Sequence, residues 1–164
     1  MTEPAPAATA PTSDTSDVST TSTDITAPPD RVFNVLLDPT TYPEWLRGAK
    51  HIRSVDDTWP EPGSAFHHVV GAGPLVIADK TEVVSHERPR RVELRAAARP
   101  TGVASVVFTL DATATGTQVT ISERPCGGPI RLLWEHGARP ALEPLLRARN
   151  ADSLRLLTDL IERG

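Results

Sequence analysis

A run of strands followed by a single long amphipathic helix sets the folding problem for this chain. Leu142, Leu145, Leu146, Leu156, Leu157 and Leu160 form one stripe at 3.6-residue spacing near the C-terminus. Pro140 suits the first turn of that helix. Upstream, Arg91 to Arg99 alternates, with Val92, Leu94, Ala96 and Ala98 on one face and Arg91, Glu93, Arg95 and Arg99 on the other. Gly102 to Leu110 places Ala104, Val106, Phe108 and Leu110 on one face, and Thr117 to Arg124 places Val119, Ile121 and Glu123 together. Gly71-Ala72-Gly73-Pro74, His86 to Pro89 and Thr115-Gly116 read as turns between strands. One helix must therefore cover the inner face of a sheet of about six to seven antiparallel strands. Several inward residues are small, Ser64, Ala96, Ala98 and Ala104 among them. Sheet and helix cannot close fully over such residues, so a cavity is expected between them.

The N-terminal part divides in two. Residues 1 to 17 are rich in Thr, Ser, Ala and Pro, lack periodicity, and are predicted to be a disordered arm. From Val18 onward a single domain, residues 18 to 164, is expected. Val18 to Ile25 suits an edge strand. Two short helices follow. The first carries Val32, Phe33, Leu36 and Leu37 and stops at Asp38-Pro39, because a residue before proline avoids helical geometry. The second spans about Tyr42 to Leu46, with Tyr42 packing the small helices together. A further short helix is predicted from Pro129 to His136.

These residues carry a resemblance. APPDRVFNVLLDPTTYPEW, Pro62-Gly63 before an aromatic strand, Arg88-Pro89 before another, and Arg149-Asn150 ahead of the last leucines resemble the START-like, or SRPBCC, superfamily. Within it the chain is similar to bacterial-type polyketide cyclase/dehydrase and lipid-transport proteins. The resemblance spans about residues 18 to 163. It implies an α+β helix-grip fold, a curved antiparallel sheet around a long C-terminal helix, with two short helices after the first strand. It also implies a small hydrophobic ligand, a lipid, polyketide or aromatic metabolite, held between sheet and helix. A cofactor-independent aromatase/cyclase or dehydratase is the alternative it allows, and a co-chaperone-like interaction module is the third. The outward strand positions read as charged or polar, which disfavours the third.

The candidate ligand-binding residues are Trp45, Phe66, His68, Asp79, Leu94, Ala96, Phe108, Glu123, Trp134, Arg149 and Ser153. Arg149 falls near the middle of the helical stripe, with Ser153 one turn on. A guanidinium there suits a carboxylate, phenolate or enolate; paired internally, its natural partner is Glu123 on the apolar face of its strand. His68 shares a strand face with Phe66 and Val70, and outward Lys80 and Glu82 turn Asp79 and Thr81 inward. A histidine near a carboxylate is a candidate general base, so His68 and Arg149 are the catalytic candidates. A one-residue slip would bring His67 in instead. Trp45, Phe66, Phe108 and Trp134 are the large rings expected to border the cavity.

Other chemistries find little support. Adjacent His67 and His68 face opposite ways and do not suit one metal ion, so no metal and no cofactor is predicted. Cys126, the only cysteine, sits in a turn with no histidine placed to activate it. It excludes an intrachain disulfide and fits a cytoplasmic protein. No signal-peptide pattern or membrane-length apolar run is visible, so stable membrane insertion is not predicted. A net charge of -4 and a pI near 5.7 leave no nucleic-acid footprint.

Overall fold

The computed structural model of the protein describes residues 18–72 and 74–164, the side chains of Ala72 and Ala98 excepted. The arm predicted over residues 1 to 17, Gly73 in its turn, and the inward placing of Ala98 lie outside the described residues.

Strand β1 (Ser19–Ile25) leads into helix α1 (Pro29–Leu36), a 3-10 turn (Pro39–Thr41) and the short helix α2 (Tyr42–Trp45). Six strands follow: β2 (Ala49–Val55), β3 (Ala65–Ala72), β4 (Leu75–Glu87), β5 (Arg91–Ala98), β6 (Gly102–Ala112) and β7 (Thr117–Gly127). Helix α3 (Pro129–Leu133), a kinked turn (Trp134–Ala138) and helix α4 (Arg139–Arg163) complete the chain. The helix-grip expectation holds.

The order of the seven-stranded sheet is β1-β7-β6-β5-β4-β3-β2, with every neighbouring pair antiparallel. Register shifts interrupt the pairings at Ala49/His51, Ile52/Ser54, Val83/Ser85 and Val103/Ala104. Such irregularities bend and twist strands, which lets the sheet curve around a helix. Alternation is kept between them. In β4, Asp79, Thr81 and Val83 are buried while Lys80 is exposed. In β3, His68 is 2% exposed, whereas His67 faces out beside Asp56 at 3.7 Å.

Helix α1 starts with proline at its first positions and buries Val32, Phe33 and Leu36. It gives way at Asp38, whose carboxylate accepts the Thr40 N–H at 3.0 Å and starts the next turn. Tyr42, Trp45, Phe66, Val83, Val92 and Phe108 join this group in one core, which Leu154, Leu157 and Ile161 of α4 close from above.

Two sequence expectations need correction. The buried face of α4 is Asn150, Ser153, Leu154, Leu157 and Ile161; Leu145 is 68% exposed. One residue turns a helix by about 100°, so the stripe passes through Leu146 and Asn150 rather than Leu145 and Arg149. The short helix expected from Pro129 to His136 is present: α3 passes into a π-helical turn at Trp134, helical angles are lost at His136, and Gly137 at φ +99° turns the chain towards α4. The outward strand positions are not uniformly polar, since Leu75, Val76 and Ile77 at the start of β4 are exposed.

Candidate functional site

A cavity of about 310 Å³ lies between the concave sheet face, α2 and α4. That is near the lower bound of small-molecule sites. It exists because the inward positions that face α4 on the central strands include Ala96 and Ala104, and because α4 reaches across with Asn150 rather than a large apolar side chain. A second depression, about 360 Å³, is lined by Thr26–Pro29, Ala112, Thr113, Thr115 and Gly116; it is open to solvent, and among the described residues none on its walls is ionisable.

Seven predicted site residues line the inner cavity: Trp45, His68, Leu94, Ala96, Phe108, Glu123 and Arg149. Four do not. Phe66 faces inward but is completely covered, its ring 4.6 Å from Tyr42, 5.2 Å from Trp59 and 5.1 Å from His68. Asp79 is buried, and its carboxylate accepts the Arg99 N–H at 2.7 Å and the Lys80 N–H at 3.0 Å. It thus pins the β5–β6 turn instead of facing the cavity. Ser153 accepts the Arg47 N–H at 3.1 Å, tying α4 to the segment after α2. Trp134 lies in the kinked turn, with the Arg139 guanidinium 5.5 Å from its ring centre. Ser64 is likewise buried off the cavity, donating to the Glu61 carbonyl at 2.6 Å.

Tyr42, Val70, Thr81, Val106, Ile121 and Asn150 line the cavity in addition. Val70, Thr81, Val106 and Ile121 share faces with residues already named, so alternation carried their signal. Tyr42 packs between Trp45 and Phe66, as the small-helix assignment required, and its hydroxyl donates to the Leu36 carbonyl at 2.7 Å. Burial, aided by the charge on Asp38, raises its pKa far above the usual phenol value. Asn150 was missed because the helical register was read one residue early.

Two polar stations interrupt the apolar wall. At one, His68 Nε2 and Thr81 Oγ1 are 3.1 Å apart. Nδ1 is buried and has no hydrogen-bond partner among the described residues. Burial lowers the His68 pKa; the Asp79 charge pulls it upward less strongly, and His67 lowers it further. His68 is therefore a neutral imidazole at physiological pH. At the other station, Glu123 Oε2 accepts from Arg149 Nη2 at 2.5 Å and from Asn150 Nδ2 at 2.9 Å. Arg149 also donates to Asn150 Oδ1 at 3.2 Å. The pair is lopsided: the Glu123 side chain is 5% exposed and that of Arg149 is 43% exposed. Arg149 is therefore a flanking residue of the cavity with its charge already matched, rather than a free cation at its centre.

Among the described residues no cluster of His, Cys, Asp or Glu suits a metal ion. Among them, too, no helix is long and apolar enough to cross a membrane. The arrangement can bind an apolar body, offer hydrogen bonds at two points, and present a neutral imidazole beside a hydroxyl.

Comparisons with known proteins agree with this architecture. Protein NE0264 from Nitrosomonas europaea is similar in structure with a TM-score of 0.68 at 16% identity, over 90% of this chain and 95% of that one. A protein of unknown function from Staphylococcus aureus, SA2116, gives a TM-score of 0.70 at 13% identity, over 89% and 93%. The di-domain ARO/CYC BexL from the BE-7585A biosynthetic pathway gives a TM-score of 0.65 at 16% identity; 87% of this chain matches 48% of that protein. At such identities these likenesses show the fold alone. No curated protein matches the chain. The family described as polyketide cyclase / dehydrase and lipid transport matches residues 17–162. With nearly the whole described chain inside that match, the protein belongs to the polyketide cyclase / dehydrase and lipid transport family.

Proposed function

We propose that residues 18 to 164 form a binding or carrier unit for one small hydrophobic molecule, a lipid, polyketide or related aromatic metabolite, held between the sheet and α4. The observation that carries this reading is the cavity itself. Leu94, Ala96, Val106, Phe108 and Ile121 give it apolar walls, and its polar groups gather at the His68–Thr81 and Glu123–Arg149–Asn150 stations. Apolar walls supply affinity and a few placed polar groups supply orientation. The lone Cys126 and the net charge of -4 favour a cytoplasmic protein with no nucleic-acid partner.

A second reading, cofactor-independent cyclisation or dehydration of such a ligand, draws on one observation. His68 is neutral on the cavity wall, the protonation state a general base needs.

Titration with a neutral naphthylamine dye tests the carrier reading. Saturable fluorescence enhancement is expected, lost in the cavity-filling variant Ala96→Trp. Undiminished enhancement in a folded Ala96→Trp protein would place the dye elsewhere and reject the reading.

A further inference from the structure

The Glu123 station has an unused acceptor. Both of its protein donors, Arg149 Nη2 and Asn150 Nδ2, converge on Oε2. Among the described residues no hydrogen bond reaches Oε1. Nor is Oε1 sealed in protein: among the described residues the side-chain atoms buried without a partner are Ser19 Oγ, Thr21 Oγ1 and His68 Nδ1. Glu123 lines the cavity, and its unsealed Oε1 is the carboxylate atom free to meet a ligand there.

The positive charges nearby are already committed. Arg149 is matched by Glu123, and Arg47, the other cation on the wall, pairs with Asp152 at 3.3 Å. His68 adds no charge. The wall thus offers an anionic acceptor with no surplus cation to offset an anionic ligand.

We propose that the cavity selects neutral hydrophobes bearing a hydroxyl or N–H donor, and disfavours carboxylates. The inference rests on the binding reading above. A ligand hydroxyl donates to Glu123 Oε1, and its oxygen can accept from Arg149 Nε or Nη1, which make no hydrogen bond to the described residues. A ligand carboxylate has no proton to give Oε1. It can reach the same Arg149 donors, but it places a second negative charge against Glu123 in an apolar surround that screens poorly, where the guanidinium charge is already offset.

The test is isothermal titration of a naphthol and the naphthoate substituted at the same ring position, at neutral pH, against the wild type and Glu123→Gln. The wild type is expected to bind the naphthol at least about tenfold more tightly, the scale of one hydrogen bond to a charged group. An ionised ligand is the poorer hydrophobe in any case, so the change in ratio decides. Glu123→Gln frees Arg149, and should tighten naphthoate and weaken naphthol until the preference falls by about tenfold or reverses. Naphthoate preferred by the wild type, or a ratio unmoved by Glu123→Gln, would overturn the selection and leave the cavity reading standing. No binding of either compound by either folded protein would overturn the cavity reading, and the selection with it.

Discussion

Ala96→Leu separates a real cavity from a tightly packed core, because the two predict opposite signs. Ala96 sits on the central strand β5 between Thr81 and Ala104, and all three line the cavity. Leucine adds three carbons, and burying a methylene is worth about 0.8 kcal/mol, so full burial would stabilise by about 2.4 kcal/mol. Ala96 is only half-buried and the leucine must give up rotamer freedom, which reduces the expected gain to about 1–2 kcal/mol. With a slope of about 1–3 kcal/mol per molar urea, the unfolding midpoint should rise by roughly half a molar or more at unchanged slope. Binding of an apolar ligand should weaken at the same time, since the added side chain occupies its space. The same substitution in a filled core would cost about 1–3 kcal/mol through overpacking. A midpoint that falls by that amount would refute the argument that small strand residues leave room under α4.

The other predictions concern protonation and helix register. His68 is buried with its folded pKa held below the usual 6.5, so the unfolded chain binds its proton first as pH falls. The stability this contributes is present above about pH 6.5 and is lost below it, with a slope of at most about 1.4 kcal/mol per pH unit. Urea midpoints measured between about pH 7 and pH 5 should therefore fall more steeply for the wild type than for His68→Gln; equal slopes would contradict a neutral buried imidazole. Leu157→Ala should cost about 2–5 kcal/mol in the same assay, because Leu157 is fully buried. Leu145→Ala should stay within about 0.5 kcal/mol, because Leu145 is 68% exposed. Comparable losses for the two would restore the leucine stripe as first read from the sequence.

How much of this was legible depended on the periodicity involved. Strand alternation has period two, so β5, β6 and β7 announced their inward faces, and Leu94, Ala96, Phe108 and Glu123 line the cavity. Facing inward is not the same as facing the cavity, however. Phe66 and Asp79 face in but are covered, Phe66 by neighbouring rings and Asp79 by the β5–β6 turn. Those covering groups are distant in sequence and leave no local mark. On α4 the apolar residues are sparse over its first half, so the stripe was drawn through both Leu145 and Leu146, although only Leu146 is half-buried. That ambiguity placed Arg149 at the centre and overlooked Asn150. Trp134 is buried in the turn ahead of Gly137, under the Arg139 guanidinium and off the cavity wall, an arrangement its aromatic character does not reveal.

Native mass spectrometry of freshly purified protein, set beside its denatured mass, tests the central claim most directly. The account predicts a dissociable adduct of a few hundred daltons on the wild type, neutral and bearing a hydroxyl or N–H group, and markedly less of it on Ala96→Trp. An adduct carried equally by the folded cavity-filled variant would contradict the claim that the space between sheet and α4 is the binding site.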